Sequence, residues 1–289
     1  MERLRTEHGY PIARLCRAFG LTQSGYHARQ RPEPMERRQQ KARLEIAVKA
    51  AHERGRGAYG PEKIQRELAE VEGIEAGLHR IKRIRRQQGL RCKQKKKFKA
   101  TTNSQHNLPV APNLLNQNFA VSEPNHVWVA DITYIPTNEG WLYLAGIKDL
   151  CTGEIVGQAM SERMTQELVG KALFRAVARK KPPAGLIHHS DRGSQYCSRR
   201  YQKLLVQFGM IPSMSRKGNC YDNAPMENFF GILKSELTHH RIYRTRLEAI
   251  WEITEYIELF YNRQRRQTRL GLLSPVAYEK QLLKQLRAA

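Results

Sequence analysis

The chain has 289 residues, and its 50 Lys and Arg against 27 Asp and Glu give a formal net charge of +23. A hydrophobic content of 40% is enough for folded cores, so the chain is not a protein that is basic and disordered throughout. The length suggests two domains with a small third one, and the charge favours a polyanionic partner.

The cysteines and the N-terminus indicate a cytoplasmic protein with reduced thiols. Five scattered cysteines contain no Cys-x-x-Cys pair, so neither a disulfide framework nor a standard zinc motif is predicted. The first residues lack an apolar signal core, and no apolar run approaches the roughly 20 residues that span a membrane. A zinc site built from histidines remains open, with the candidates His188, His189, His239 and His240.

Residues 1–35 predict a helix-turn-helix-like segment. Ile12, Leu15 and Phe19 fit one face of a helix, which Gly20 ends. Thr22 is a suitable N-cap for a second short helix. This arrangement is typical of DNA-reading modules, although any helical hairpin gives a similar pattern.

Residues 36–92 predict a helical, helix-turn-helix DNA-binding domain. Its first helix covers about 37–54, and Pro61 lies where the next helix should begin. The third helix, after Gly77, has an apolar stripe and basic residues on its other faces. Such a run of charges usually forms a solvent-exposed helix face with no binding role. Here, however, no acidic residue that could pair with these charges occurs from residue 77 to 122. We therefore predict phosphate contacts by Arg80, Arg83 and Arg86.

Residues 93–122 predict a basic and polar linker. Lysines give way to Asn, Gln, Thr and Pro without a helical or strand period. Its first part, with Lys95 and Lys96, is predicted to lie on DNA. This segment marks the boundary to the next domain.

The hydrophobic period changes to that of strands in residues 123–240. The predicted strands cover 127–136, 140–150, 154–160, 185–191 and 210–215. The predicted helices cover 165–180, 198–209 and 227–240. Three antiparallel strands followed by alternating helices and strands imply a mixed five-stranded α/β sheet with flanking helices. This order matches the ribonuclease-H-like fold.

Residues 241–289 predict a C-terminal helix followed by a basic tail. Ile250, Ile253 and Ile257 form an apolar side that can dock on the core. The arginines that follow are expected to stay solvated: Arg263, Arg265, Arg266 and Arg269. Among them, Arg265 and Arg266 are predicted to contact DNA.

Three acids occupy positions where this topology can support catalysis. Asp131 lies at the centre of the first, apolar strand, where an unpaired carboxylate is costly. Asp191 ends the fourth strand, and Glu227 lies on the last helix of the domain. Such acids can converge on Mg²⁺ or Mn²⁺, and two ions per site promote phosphoryl transfer without a side-chain nucleophile. We therefore predict a metal-dependent enzyme that cuts and joins DNA.

Structural roles compete with this interpretation. A single strand aspartate is more often a turn or ion-pair residue, and a single helix glutamate is usually on the surface. Asp149 ends the second strand beside Lys148 and is predicted to form a structural pair with it. Asp222 precedes the last helix, where an acid favours the helix N-terminus.

The sequence motifs around the three acids carry a family resemblance. They are W-x-x-D-I-T-Y at 128–134, H-S-D-R-G-S-Q-Y at 189–196 and S-x-x-G-N-x-x-D-N-A-x-x-E at 215–227. Together they resemble the DDE transposases of the insertion-sequence-three family, which are bacterial relatives of retroviral integrases. The 35-residue interval between Asp191 and Glu227 belongs to that pattern. The resemblance covers nearly the whole chain and is to the protein encoded by the family's second reading frame. The chain departs from the family's pattern at residues 151–154 and 267–268.

The resemblance implies roles for individual residues. Asp131, Asp191 and Glu227 would be the metal ligands, and Lys234 would hold DNA near the metal ions. Further residues would shape the loops around Asp191 and Glu227: His189, Ser190, Gly193, Ser194, Ser215, Gly218, Asp222 and Asn223. The predicted DNA contacts in these loops are Arg192, Lys217 and Asn219.

The resemblance also implies a reaction and its partners. Activated water would free a 3′-hydroxyl at the end of a mobile element, and that hydroxyl would attack target DNA. The implied partners are double-stranded DNA, further copies of the chain and a protein from an upstream reading frame. Two alternatives remain: a non-catalytic DNA-binding regulator of the element, and a ribonuclease-H-type nuclease that cuts RNA–DNA hybrids.

Overall fold

The computed structural model describes residues 2–30, 34–93 and 109–288. The helices are α1 (Glu2–His8), α2 (Ile12–Ala18), α3 (Gln23–Gln30), α4 (Met35–Arg54), α5 (Pro61–Glu72), α6 (Leu78–Gln87), α7 (Gln166–Lys180), α8 (Ser194–Cys197), α9 (Arg199–Gln207), α10 (Ala224–Glu236), α11 (Arg246–Glu255) and α12 (Pro275–Ala288). The strands are β1 (Val127–Thr137), β2 (Gly140–Asp149), β3 (Ile155–Ser161), β4 (Ile187–Ser190) and β5 (Ile211–Met214).

The helices before the sheet follow the predicted start and stop signals. The amide of Gly25 donates to Oγ1 of Thr22 at 3.1 Å, which caps α3. Helix α5 begins at Pro61 and ends at Gly73, whose positive φ suits the end of a helix. Buried Val48, Ile64 and Ile81 bring α4, α5 and α6 together into one module, the α4–α6 module.

The sheet has five strands in the order β3-β2-β1-β4-β5. Strands β1, β2 and β3 pair antiparallel, whereas β4 and β5 run parallel to β1. The predicted mixed sheet and the ribonuclease-H-like fold are thus confirmed. Strand β1 is central, and its Asp131 lies opposite Gly146 of β2.

Alternating residues of β1 build two apolar layers. Val129 and Ile135 face the layer that contains Phe229 of α10, whereas Trp128 and Ala130 face the layer that contains α7. Asp131 has the same parity as Val129, so it lies on the α10 side of the sheet. Among the described residues, no helix has the length and apolarity needed to cross a membrane.

The structure departs from prediction after residue 108 in three places. Helix α10 begins at Ala224, so Glu227 lies in its first turn. The predicted basic tail contains a further helix, Pro275–Ala288, in which Glu279 pairs with Lys180. The end of the predicted linker lies on the core instead of standing free, because Leu115 is buried in the α10 layer.

Helix α10 sits very close to strand β2. A Cβ atom on Gly146 would lie 2.5 Å from Cε of Met226, the flexible end of that side chain, so α10 packs directly on this part of β2. Two residues along, Nζ of Lys148 donates to the carbonyl of Pro225 at 3.1 Å. The sheet therefore holds the N-terminal turn of α10, which carries Glu227.

Lys148 does not form the predicted pair with Asp149. Adjacent strand residues point to opposite faces, so their side chains cannot meet. The Asp149 carboxylate instead accepts hydrogen bonds from the amides of Asn125 and Thr152. Its role is structural, as predicted, but its partners lie in turns.

The buried Lys148 is expected to make stability depend on pH. Burial, followed by repulsion from Arg269 and Arg265, lowers the pKa of Lys148 to about 7. Between about pH 7 and pH 10 the unfolded chain therefore holds a proton that the folded chain lacks. The free energy of unfolding should rise with pH by up to about 1.4 kcal/mol per unit from this group. In Lys148→Met that increment should disappear, as measured by urea unfolding at several pH values.

The matched control for this experiment is Lys49→Met, which removes an exposed lysine of α4. Its stability should follow the pH dependence of the parent chain. Equal slopes for the parent chain and Lys148→Met would show that Lys148 keeps its proton on folding.

Candidate active site and DNA-binding surface

The strand register brings Asp131 and Asp191 to one edge of the sheet. Ala130 of β1 pairs with Ser190 of β4, and each aspartate is the next residue of its chain segment. Since β1 and β4 are neighbouring parallel strands, the two carboxyl groups lie side by side. Glu227 approaches from α10, which packs on the same face as Asp131.

Electrostatic repulsion links the three acids. Burial raises the pKa of Asp131 well above its usual range, and the charges of Asp191 and Glu227 raise it further. The amide of Ile132, 2.7 Å from Oδ1, opposes this shift. Glu227 is largely exposed as a residue, but partial desolvation of its carboxyl group and the charge of Asp191 raise its pKa as well. The three acids thus form one cluster of like charge.

This cluster has the ligand chemistry of a hard divalent cation, although its geometry is incomplete. In the described part of the chain, no three His, Cys, Asp or Glu side chains are close enough to enclose an ion. Carboxylate oxygens that repel one another are nevertheless the donors that Mg²⁺ and Mn²⁺ prefer. Oδ1 of Asn223 is buried without a hydrogen-bond partner, while its Nδ2 donates to the carbonyl of Ala130 at 3.1 Å. An unsatisfied oxygen beside the acids fits a polar ligand at this place.

The loop after β4 is fixed by its own hydrogen bonds. Oδ1 of Asp191 accepts from the amide of Gly193 at 2.9 Å. Arg192, a predicted DNA contact, is half-buried, and its Nε donates to the carbonyl of Ser215 at 2.6 Å. Arg192 therefore braces the loop after β4 against the loop after β5.

The paired histidines of β4 have structural partners. His189 lies 2.9 Å from Oγ of Ser213 and 3.2 Å from Oγ of Ser215, and burial lowers its pKa to about 4. His188 faces the other layer, where Nε2 lies 3.0 Å from the hydroxyl of Tyr201. Because the two rings lie on opposite faces, they cannot share a zinc ion. No zinc site with His239 or His240 is formed within the described residues either.

Asp222 is the centre of the loop before α10. Hydrogen bonds from Arg216 hold the pKa of the buried Asp222 well below its usual range. Its oxygens also accept from Asn113 Nδ2 and Gln117 Nε2, each at 3.0 Å. Asp222 therefore organises this loop through its hydrogen bonds. The sequence had predicted for it only a favourable charge at the N-terminus of the helix. No sequence pattern pointed to Asn113 or Gln117, which lie in an amide-rich segment that we interpreted as linker.

Lys234 lies where the resemblance implied a cation near the acids. It is two turns after Glu227 on α10, and its Nζ lies 4.8 Å from the centre of the Tyr134 ring. Burial lowers the pKa of Lys234 to about 8, whereas the charge of Asp131 opposes this shift. An ammonium group beside Asp131 can offset part of the negative charge of the cluster.

A basic cleft marks the α4–α6 module. Arg80, Arg83 and Arg86 are exposed on α6. Facing α4, a cleft of about 600 Å³ is lined by Arg37, Gln40, Lys41, Arg80, Arg83 and Gln87. Four of these six side chains are cationic and none is acidic, so the cleft suits a phosphate backbone.

Two other predicted DNA contacts are buried. Arg265 is 8% exposed and Arg266 is 9% exposed, so the expectation that they stay solvated is wrong. Arg265 pairs with Glu236 at 2.6 Å, and Arg266 pairs with Glu67 at 2.9 Å. Their charge is used inside the protein, because each arginine meets a glutamate from a distant segment.

The remaining predicted contacts are placed as follows. Lys217 is exposed in the loop before α10, and Asn219 caps the next turn by accepting from the amide of Tyr221 at 3.0 Å. Lys95 and Lys96 lie outside the described residues.

Comparison with known proteins agrees with the order of these parts. Residues 121–220 and 227–283 match the integrase core domain, and residues 39–98 match an HTH-like domain. The chain is 60% identical over 264 residues to the insertion element IS600 uncharacterized 31 kDa protein of Shigella sonnei, covering 91% of this chain and 97% of that protein.

A transposase and a solved structure are also similar. Transposase InsF for insertion sequence IS3A of Escherichia coli is 40% identical over 274 residues, covering 93% of this chain and 94% of that protein. One chain in the structure of the simian T-cell lymphotropic virus intasome in complex with PP2A regulatory subunit B56 gamma is 18% identical to this chain. The TM-score is 0.48, and the match covers 74% of this chain and 70% of that one. The chain belongs to the insertion-sequence-three family of transposases, DDE polynucleotidyl transferases with an integrase core domain.

Proposed function

We propose that Asp131, Asp191 and Glu227 are the catalytic acids of this transposase and that they hold divalent metal ions. The observation that carries the proposal is the mutual repulsion of these carboxyl groups at one sheet edge. A protein gains no stability from placing like charges together, so the arrangement is best explained by a cationic ligand.

The reaction that we assign is cleavage at the ends of the mobile element, followed by transfer of the freed 3′-hydroxyl to target DNA. When bound, two Mg²⁺ or Mn²⁺ ions would supply charge stabilisation for in-line phosphoryl transfer. The chain's own residues position the site: Lys148 holds the first turn of α10, and Asp222 organises the loop that precedes it. Lys234 is suited to hold a DNA phosphate beside the acids.

Double-stranded DNA is the proposed partner of the α4–α6 module. The exposed face of α6 offers basic side chains at helical spacing, and the cleft beside it extends that surface to α4. A transposase that joins two element ends to a target needs more than one copy of its active site, so we propose a homo-oligomer on DNA in the bacterial cytoplasm. A protein from the upstream frame is a further proposed partner.

A non-catalytic regulator of the element would retain the basic cleft but has no need for the acids. The cluster around Asp131 and the hydrogen bonds that support it favour the enzyme. A nuclease for RNA–DNA hybrids would retain the acids, but the α4–α6 module and its cleft favour a protein that also binds duplex DNA.

Neutral substitutions of the acids should separate chemistry from binding. Each of three substitutions should lower cleavage and strand transfer by at least about a thousandfold: Asp131→Asn, Asp191→Asn and Glu227→Gln. The reason is that each removes a negatively charged carboxylate that would hold the metal ions stabilising the transition state. Affinity for the same DNA should remain. Both activities can be followed on a labelled duplex that carries the boundary of the mobile element, with Mg²⁺ or Mn²⁺.

The folding control is built into this series. Since Asp131→Asn removes a buried carboxyl group whose charged form is disfavoured, its Tm without metal should be at least that of the parent chain. Metal-dependent cleavage that survives in any one of the three variants would sink the assignment of that acid. RNA–DNA hybrid cutting without action on the duplex would favour the nuclease.

The basic surface of α6 should contribute sequence-independent affinity. Arg83→Ala and Arg86→Ala should weaken binding to most duplexes, and each should reduce the salt dependence of log K by roughly 0.9 per lost phosphate contact. The matched control is Lys49→Ala on α4, an exposed cation outside the cleft. An unchanged salt slope for both arginine variants would place the DNA footprint elsewhere.

A further inference from the structure

The α4–α6 module and the catalytic core meet in a contact that we call the junction. The module contributes Arg56, Tyr59 and Glu67 together with Lys93, and the core contributes Glu236, Glu255, Gln264 and Arg266. Arg56 and Glu255 are 199 positions apart in sequence, so contact rather than chain continuity brings them together.

The junction contains ion pairs with well-defined geometry. The terminal nitrogens Nη1 and Nη2 of Arg56 donate to the carboxylate of Glu255, at 2.8 and 2.5 Å. The guanidinium group lies 4.7 Å from the centre of the Phe260 ring. Nε of Arg266 donates to Glu67 at 2.9 Å. A forked arginine–carboxylate pair fixes orientation as well as distance.

Buried polar and apolar contacts support these pairs. The hydroxyl of Tyr59 donates to the carbonyl of Gln264 at 2.9 Å and accepts from the amide of Arg266 at 3.3 Å. Tyr59 is 2% exposed, and one apolar cluster extends from Val48 and Ile64 in the module to Phe260 in the core. Breaking this contact would leave the buried Arg266 without Glu67 and Glu70, its two carboxylate partners, although Glu67 would keep Arg54, so separation is costly.

The junction also reaches the helix that carries Glu227. Nζ of Lys93 donates to the carbonyl of Glu236 at 2.6 Å, at the end of α10. The carboxylate of Glu236 accepts from Arg265 at 2.6 Å and from the hydroxyl of Tyr256 at 2.7 Å. The end of α10 is therefore bonded to the module directly and to the core segment that binds it.

We propose that the junction fixes α6 relative to the three acids and so sets how many nucleotides separate the bound DNA sequence from the cut. This inference rests on the proposed function. A module that bound its sequence without a fixed orientation to the core would present several phosphodiesters to the same acids. Under this proposal Arg56 and Glu67 are positioning residues, which act on the cut position through the ion pairs Arg56–Glu255 and Arg266–Glu67.

The test uses the full chain and a charge exchange across the junction. Arg56→Glu faces Glu255 with a like charge, whereas Arg56→Glu combined with Glu255→Arg restores an ion pair of opposite sense. Arg56 is only partly buried, and the apolar core of the module lies elsewhere, so both variants should fold. The matched control is Lys49→Glu, the same charge change on α4 away from the junction.

Two measurements are made on each variant, with the labelled boundary duplex and Mg²⁺ as the probe. Cut positions are mapped at single-nucleotide resolution, and binding is measured on the same duplex. For Arg56→Glu we expect the affinity for the duplex to stay within about threefold of that of the parent chain. We expect the ratio of cuts at the parent position to cuts at neighbouring positions to fall at least tenfold. The exchanged pair should restore the parent ratio, and Lys49→Glu should keep it.

Hydrogen exchange shows independently whether the junction has opened. The amide of Arg266, which donates to the hydroxyl of Tyr59 across the junction, should exchange at least tenfold faster in Arg56→Glu and recover in the exchanged pair. A parent chain that binds the duplex but never cuts it would refute the proposed function. If the parent chain cuts at one position and Arg56→Glu cuts only there despite fast exchange, this inference alone is overturned.

Discussion

The repulsion between the carboxyl groups of Asp131, Asp191 and Glu227 is the constraint around which the rest of the structure is arranged. A central strand is the most rigid place in a sheet, and an acid there is disfavoured unless its charge is compensated. Lys234 compensates only part of that charge. Under the proposed function a bound cation would stabilise the remainder, so the site would lose stability for the sake of function in a way that a purely structural acid would not.

That repulsion has to be resisted by contacts outside the three motif positions. Lys148 holds the start of α10, Asp222 holds the loop before it, and the Glu236–Arg265 pair holds its end. The first and third contacts join α10 to β2 and to the segment after α11, and the second anchors the loop that leads into α10. The position of Glu227 is therefore determined by a network of buried polar bonds, in which the loss of one member leaves other groups unsatisfied.

The strands, their mixed sheet and the placement of Asp131 and Asp191 could be predicted because a period of two and short turns leave few topologies. The roles of Arg265 and Arg266 could not. In the sequence they belong to a basic run, as the residues of α6 do, and only the tertiary structure places glutamates against them. Asn113 and Gln117 were missed for the same reason, since an amide that binds a distant aspartate leaves no periodic signal.

The net charge of +23 is accordingly a poor measure of the DNA-binding surface. Arginines at the junction neutralise glutamates inside the protein and release no counterions when DNA binds, whereas those of the α6 cleft can do so. In the proposed function the same residue type has two separate tasks: internal pairs would orient the module against the core, and the open cleft would attract DNA. Because the Arg266–Glu67 pair of the junction is buried, added salt should weaken binding at the cleft before it weakens this pair. Orientation would then persist under conditions where affinity falls, which is what accurate cutting at a fixed distance requires.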